Sequence, residues 1–193
     1  MTDAGGLDSK VSVLMSEYRR KKLDKIKSEQ AKRLSLGAEL MLCYALKKHY
    51  PEIALPPEIK LSQGGKPYMD GVFFSLSHSK KYAACAVSDS EVGLDIEKIN
   101  PRQNLAVGKK FLTDDEFKAL TAENFFDFWT KKESYIKLRG FDKTPTALKF
   151  SVLDGNFCTF EKCGYKITAA SEKPDAAEIS VISAEEAIAF LKF

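Results

Sequence analysis

Two carboxylates lie two residues apart in the segment VGLDIE, residues 92–97. The apolar spacing predicts a β-strand, in which Asp95 and Glu97 share one face because side chains alternate between faces. Two anions on one face, about 7 Å apart, repel each other unless a positive group lies between them. Mg²⁺ is one such group, since it binds one or two carboxylates together with phosphate oxygens and water. A solvated face, or pairing with Lys or Arg, is the more common explanation for an isolated pair.

A second charged cluster lies in WTKKESYIKLRG, residues 129–140, where the pattern predicts a helix. Glu133 and Lys137 are four residues apart and therefore share one face of that helix. An ordinary surface ion pair would contribute little. A lysine that reaches a phosphate beside a glutamate that completes a metal site is, however, what phosphoryl transfer requires, because that chemistry depends on positioning and charge neutralisation.

A third group of polar residues is Ser75-Leu76-Ser77-His78-Ser79, at the end of a predicted strand. Small hydroxyls and an imidazole there suit contacts with phosphate. Ser77 and His78 are adjacent and face opposite sides of a strand, so His78 is a poor general base for Ser77, which argues against a Ser-His hydrolase. A purely structural histidine is an equally good interpretation of His78 alone.

A cation-rich segment precedes these motifs, between residues 19 and 33. It contains Arg19, Arg20, Lys21, Lys22, Lys25, Lys27, Lys32 and Arg33. The segment is interpreted either as a solvated helix face or as a phosphate-binding patch. The net charge of +3 is too close to balance to indicate nucleic acid by itself.

The composition predicts a soluble cytoplasmic protein. The four cysteines form no C-x-x-C pair, which fits a reducing compartment. No apolar run reaches transmembrane length, and the first ten residues have no signal-peptide pattern.

The order of predicted elements is helix, strands, helices, strands, which indicates an α+β fold. We predict two similar halves, residues 1–97 and 98–193, packed as one body, each with an antiparallel sheet against a long helix. The first helix is predicted from Ser16 to Pro51, a later one to begin at Thr113, and another to end at Gly140. The predicted strands cover residues 10–15, 71–79, 81–87, 92–99, 148–154, 156–162, 165–171 and 177–183, and residues 183–193 are predicted as a terminal helix or a mobile end.

Taken in order, GKP, FSLSHS, VGLDIE and FWTKKESYIKLRG resemble the motifs of the 4′-phosphopantetheinyl transferases, and most of all those of the surfactin-synthetase-activating, pseudo-dimeric type. The two strongest pieces are the G-[IV]-D-x-E motif, here residues 93–97 with Leu94 at the second position, and W-[ST]-x-K-E-[SA]-[FY]-x-K, here residues 129–137. Each motif alone is weak, whereas the four in order are specific.

The resemblance implies transfer of the phosphopantetheine arm of coenzyme A to a serine of an apo carrier protein, with release of adenosine 3′,5′-bisphosphate. It implies Mg²⁺, with Mn²⁺ as an alternative, held by Asp95, Glu97 and Glu133. It assigns Asp95, Glu133 and Lys137 to catalysis, with Glu133 or a metal-bound water accepting the serine proton. The implied contacts to coenzyme A are Lys21, Arg33, Lys66, Ser77, His78, Lys132 and Lys137.

The partners implied are coenzyme A and the carrier protein, without nucleic acid or membrane, and a duplicated chain suggests a monomer. Phe111 and Leu112 are candidates for the rim that grips the carrier, although core packing is the better interpretation of both. Two other functions stay open. One is a different Mg²⁺-dependent enzyme, such as a nuclease or phosphatase. The other is a nucleic-acid binder that uses the helix from Arg19 to Arg33.

Overall fold

The strands of the described residues form three antiparallel sheets, and the site lies where two of them meet. The computed structural model describes residues 11, 13–140, 150–153, 155–173 and 177–191. Strands β1 (Lys60–Leu61) and β2 (Pro67–Tyr68) form one pair, and β3 (Phe73–Ser79) and β4 (Tyr82–Ser88) form a hairpin. The third sheet has the order β5-β7-β6, with β5 at Val92–Lys98, β6 at Phe157–Lys162 and β7 at Tyr165–Ser171.

The helices pack against these sheets and against each other. They are α1 (Glu17–Leu23), α2 (Glu29–His49), a 3-10 helix (Leu105–Lys110), α3 (Asp114–Lys118), α4 (Phe125–Leu138) and α5 (Ala184–Leu191). Helix α2 lies on the β3–β4 hairpin, and α4 lies on β5 and β7. This combination of helices and antiparallel sheets confirms the predicted α+β class. Among the described residues, no helix is both long and apolar enough to cross a bilayer.

The first predicted helix is interrupted, and the prediction of one continuous helix was wrong. A serine starts each of the two helices that replace it, because Ser16 accepts from the Arg19 N–H and Ser28 from the Ala31 N–H. A buried ion pair then joins α1 to α2, with Arg19 Nε 2.8 Å from Glu39 Oε2. Residues 24–28 therefore separate two helices that the buried ion pair holds together.

Three predicted strands have no strand counterpart. Within residues 10–15, Lys10 and Ser12 lie outside the described residues, and residues 13–14 form a turn. Val11, Leu14 and Met15 are buried in a cluster with α2 and α5, so their apolar character serves helix packing rather than a sheet. Residues 150–153 and 177–183 form no strand either, while residues 148, 149 and 154 of the other predicted strand lie outside the described residues.

The local signals elsewhere were correct. Thr113 caps α3 in a reciprocal capping box with Glu116. Helix α4 ends at Leu138, and Gly140 follows with a φ of +74°, a conformation that favours glycine. Phe111 lies in the aromatic core beside Trp129, with ring centroids 4.8 Å apart, and Leu112 packs against that core, as the alternative interpretation of both residues expected.

Strands β3 and β5 belong to different sheets but run side by side, joined by serine hydroxyls. Strand β5 lies at the edge of its sheet, so its outward N–H groups need partners from elsewhere. We call the three serines that supply them the serine ladder. In the serine ladder, the hydroxyls of Ser75, Ser77 and Ser79 accept from the N–H groups of Leu94 (2.9 Å), Ile96 (3.4 Å) and Lys98 (3.2 Å).

The predicted boundary between residues 97 and 98 falls inside β5. All backbone pairing of β5 is with β7, so its hydrogen bonds join it to the strands that follow it in the chain. The terminal helix α5 belongs to the second predicted half but packs, through Ala187 and Leu191, against α2 of the first. The division into two similar halves stays a prediction.

Candidate active site

Asp95 and Lys137 form the centre of the candidate site. The Lys137 ammonium donates to Asp95 Oδ1 at 2.7 Å and to Ser77 Oγ at 2.9 Å. Ser77 in turn donates to the same carboxylate oxygen at 2.9 Å. Both charges are largely withdrawn from water, with side-chain exposures of 13% for Lys137 and 5% for Asp95. The structure therefore brings together three residues that the sequence assigned to one site.

A close approach of α4 to β5 places Lys137 beside Asp95. A Cβ added to Gly93 would lie 1.9 Å from the Ser134 carbonyl oxygen and 2.4 Å from the Leu138 nitrogen. Only glycine leaves room for the helix backbone at that distance. The glycine of the G-[IV]-D-x-E motif is therefore required by packing, and it brings α4 onto the face of β5 that carries the two carboxylates.

One oxygen of Asp95 is left without a partner. Oδ2 is buried and has no hydrogen-bond partner among the described residues, whereas Oδ1 accepts from Lys137 and Ser77. An ionised carboxylate only accepts hydrogen bonds, so a buried oxygen without a donor is costly unless a cation or another donor reaches it. The donor set therefore fits a hard cation such as Mg²⁺ at Oδ2.

Glu97 is held by a hydroxyl from the neighbouring strand. Ser79 Oγ donates to Glu97 Oε2 at 2.7 Å. Loss of hydration on partial burial, and to a lesser degree the nearby Asp95 charge, raises the pKa of Glu97 above its usual range. Glu97 therefore lies in a partly dehydrated setting beside a second carboxylate.

The third predicted metal ligand, Glu133, lies half-buried on α4, one helical turn before Lys137. In the part of the chain that the structure describes, no three acidic, histidine or cysteine side chains are close enough together to hold a metal. Asp95, Glu97 and Glu133 are thus not assembled as a three-ligand set. Glu133 as a ligand stays a prediction.

Lys22 and Arg19, rather than Lys21, are the α1 cations whose charges act on His78. Partial loss of hydration, followed by the charges of Lys22, Lys137 and Arg19, lowers the pKa of His78 below 6.5. Lys21 is 72% exposed and pairs with Glu17 at 2.5 Å on the surface. Arg33 is exposed and lines a separate hollow between α1 and α2 with Arg20 and Leu36. Lys22, whose ammonium lies over the Tyr18 ring, thus acts on His78 through its charge, whereas Lys21 pairs with Glu17 and Arg33 lines the other hollow.

Lysine ammonium groups cap the outward carbonyls of β5. Lys66 Nζ donates to the Val92 oxygen at 3.2 Å and pairs with Glu91 at 2.6 Å, while Lys137 Nζ donates to the Leu94 oxygen at 2.9 Å. Lys66 also lines an open cleft of about 590 Å³ beside the start of β3. Two of the predicted substrate-binding lysines therefore lie along one edge of one strand.

Lys132 points away from this cluster. Its side chain is 3% exposed, pairs with Glu116 Oε2 at 2.8 Å and donates to the Phe150 carbonyl oxygen. Glu116 also accepts from the N–H groups of Thr113 (2.7 Å) and Val152 (2.6 Å). These contacts tie α3 and α4 to residues 150–152, which is a structural role. A contact of Lys132 with coenzyme A stays a prediction, without support from its position here.

Ser79, Lys22 and Gly93 were not singled out from the sequence, although Ser79 and Lys22 belonged to segments considered for phosphate contacts. The alternation S-x-S-x-S at 75–79 was a signal for Ser79, because it places three hydroxyls on one face of β3. Lys22 could not be told from its neighbours, since the register of the cation-rich segment depends on where α1 ends. Gly93 was quoted only as part of a motif, and its contact with α4 is visible only in three dimensions.

Comparison with known proteins identifies the family to which this chain is similar. The family model described as the 4′-phosphopantetheinyl transferase superfamily matches residues 91–189. The chain is 28% identical to the 4′-phosphopantetheinyl transferase Sfp of Bacillus subtilis (strain 168), over 91% of this chain and 90% of that protein.

Other relatives align over shorter stretches. A 4′-phosphopantetheinyl transferase of Bacillus subtilis is 29% identical over 71% of this chain, and 4′-phosphopantetheinyl transferase psf-1 of Bacillus pumilus is 35% identical over 57%. The chain spans 65% and 51% of the lengths of these two relatives.

Proposed function

This chain belongs to the 4′-phosphopantetheinyl transferase superfamily, and from that we propose that it transfers the phosphopantetheine arm of coenzyme A to a serine of an apo carrier protein. The other product is adenosine 3′,5′-bisphosphate. The observation that carries the proposal is the Asp95–Lys137 pair, in which lysine neutralises one carboxylate oxygen and the other is buried without a hydrogen-bond partner in the part of the chain that the structure describes. That arrangement suits a substrate that brings both phosphate and a divalent cation.

Mg²⁺ is the cofactor we propose, with Asp95 and Glu97 holding it from the chain. Two carboxylates suffice, because Mg²⁺ completes its coordination with phosphate oxygens and water. The alternation of side chains along β5 supports this assignment, since it places the two carboxylates on one face of the strand, where a single cation can reach both. Bound there, Mg²⁺ would supply neutralisation of the pyrophosphate charge.

The chain's own cations would bind the rest of the substrate. Lys22 and His78 form an electropositive end of the site, and we assign to them a phosphate of coenzyme A. Lys137 already faces the carboxylates and would stabilise charge on the phosphate group that is transferred. Holding the substrate between these two points would orient the pyrophosphate for in-line attack.

The transfer step breaks one phosphorus–oxygen bond and forms another. The carrier serine oxygen attacks the phosphorus attached to pantetheine, and the bond from that phosphorus to the bridging oxygen breaks. The electron pair leaves with adenosine 3′,5′-bisphosphate. The serine proton must be accepted by a base, and we assign Glu133, which lies one helical turn from Lys137 on the same helix.

The test is the mass of the carrier. The protein is incubated with coenzyme A, Mg²⁺ and several apo carrier proteins, and intact-mass spectrometry measures addition of phosphopantetheine. Asp95→Asn should abolish the addition, whereas Asp115→Asn, in an exposed ion pair with Lys118, should leave it unchanged. Circular dichroism checks that both variants are folded.

The proposal fails if wild-type protein modifies none of the carriers while an active transferase modifies the same samples. Cleavage of phosphoesters or nucleic acid that disappears in the Asp95→Asn variant would instead assign a hydrolase to the same residues.

A further inference from the structure

Ser79 forms a bridge between the strand it belongs to and the carboxylate of Glu97. Its side chain is buried, and its hydroxyl makes two contacts at once. It accepts from the Lys98 N–H at 3.2 Å and donates to Glu97 Oε2 at 2.7 Å. Because a hydroxyl has a single proton, the acceptance from β5 leaves that proton for the carboxylate. The serine ladder therefore fixes the direction in which Ser79 donates.

Glu97 needs such a restraint. It is half-buried, its charge is repelled by Asp95, and its long side chain has several rotamers that point away from Asp95. Ser79 from β3 donates to it at 2.7 Å from outside its own strand. That hydrogen bond opposes the repulsion and holds Glu97 beside Asp95.

We propose that Ser79 is a positioning residue that holds Glu97 in the orientation needed to bind a divalent cation. The inference rests on the proposed function, because it assigns the cation of that reaction to Asp95 and Glu97. Ser79 acts through Glu97 and has no contact with substrate in this assignment. The serine ladder thereby links the register of two sheets to the geometry of the site.

Ser75 provides a matched control within the same ladder. Its hydroxyl is equally buried and accepts from the Leu94 N–H at 2.9 Å, so Ser75→Ala also leaves a β5 N–H without its partner. Ser75 donates to no carboxylate among the described residues, whereas Ser79 does. The two alanine variants therefore share the structural loss and differ only in the contact with Glu97.

The experiment measures Mn²⁺ binding by electron paramagnetic resonance in the presence of coenzyme A, using wild-type protein and the variants Ser79→Ala and Ser75→Ala. Loss of a hydrogen bond that orients a metal ligand typically weakens metal binding 10- to 100-fold. We expect a loss of about that size for Ser79→Ala and a change below about threefold for Ser75→Ala. Ser79→Thr, which keeps the hydroxyl, should bind Mn²⁺ more tightly than Ser79→Ala. Melting temperatures should fall similarly in both alanine variants.

Equal Mn²⁺ affinity of the two folded alanine variants would overturn the proposal. If Ser79→Ala does not fold, Ser79→Cys takes its place, because a thiol fills a similar space but donates weakly, and the same loss is expected. Carrier modification by wild-type protein is measured alongside. Modification together with equal affinities refutes only the role of Ser79, whereas absence of both modification and Mn²⁺ binding refutes the proposed function as well.

Discussion

Gly93→Ala is a severe test of how the site is assembled. The added Cβ would lie 1.9 Å from the Ser134 carbonyl oxygen and 2.4 Å from the Leu138 nitrogen. Both are backbone atoms of α4, so neither can rotate away as a side chain would. A carbon and a carbonyl oxygen come no closer than about 3.3 Å in ordinary contacts, and α4 must therefore retreat by about 1.4 Å.

The size of the effect follows from that displacement. Overpacking a core usually costs about 1–3 kcal/mol, and we expect about 3 kcal/mol because the opposing atoms belong to a helix backbone. In a chain of this length, that corresponds to a fall of about 6–12 °C in melting temperature. The retreat would also draw Lys137 away from Asp95, now 2.7 Å apart. A misplacement of about 1 Å costs on the order of 100-fold in rate.

Thermal unfolding and the carrier mass assay together measure both effects. Gly37→Ala is the control, because Gly37 lies inside α2 and its added Cβ would meet only the Ala83 side chain, at 3.3 Å. Alanine favours a helix interior by about 1 kcal/mol over glycine, which offsets the tight contact, so this variant should melt within a few degrees of wild type. If Gly93→Ala melts with Gly37→Ala and transfers at the wild-type rate, the close approach of α4 is not what positions Lys137.

Two further predictions concern the buried Glu116–Lys132 ion pair and the charges that act on His78. Glu116→Gln leaves the buried Lys132 ammonium without its anion and should lower the free energy of unfolding by about 3 kcal/mol at pH 7, measured by urea denaturation. Burial favours the neutral acid and by itself would raise the pKa of Glu116, but hydrogen bonds, first among them the one from Lys132, lower that pKa below 4.5. The stabilisation should therefore fade as the pH falls through the folded-state pKa of Glu116. A difference in stability between wild type and Glu116→Gln that persists at such low pH would contradict this prediction. Lys22→Ala should raise the pKa of His78 in an NMR titration, because one cation that acts on His78 is removed. Lys21→Ala is the control and should leave that pKa unchanged, since Lys21 pairs with Glu17 on the surface. Equal effects of the two variants would show that Lys22 is not the α1 lysine that acts on His78.

The sequence predicted the elements whose signals are local. The Thr113 cap and the glycine after α4 act within a few residues, and the alternating apolar residues of β3 and β5 define their strands without reference to the rest of the chain. Asp95 and Lys137 were also assigned to one site, because strand and helix periodicity place each charge on a defined face and the family resemblance placed the two motifs together, but the ion pair between them was not predicted.

The features that the sequence did not predict depend on contacts between distant parts of the chain. The apolar residues at 11–15 satisfy a strand pattern, but the cluster with α2 and α5 recruits them instead. Whether the charge of Lys21 or of Lys22 acts on His78 depends on how α1 is placed. The buried Arg19–Glu39 ion pair fixes that placement, and it joins residues 20 positions apart in the sequence. Lys132 was assigned to substrate from its neighbours in the motif, while its buried partner Glu116 lies on a different helix.

Locating the divalent cation in a crystal tests whether Asp95 and Glu97 hold it beside coenzyme A. The protein is crystallised with coenzyme A and Mn²⁺, and the anomalous signal of manganese identifies its position without reference to the expected ligands. We expect a single strong anomalous peak beside Asp95 Oδ2, within reach of Glu97 and of the coenzyme A pyrophosphate. Manganese bound elsewhere, or a pyrophosphate held away from Asp95 and Lys137, would contradict it.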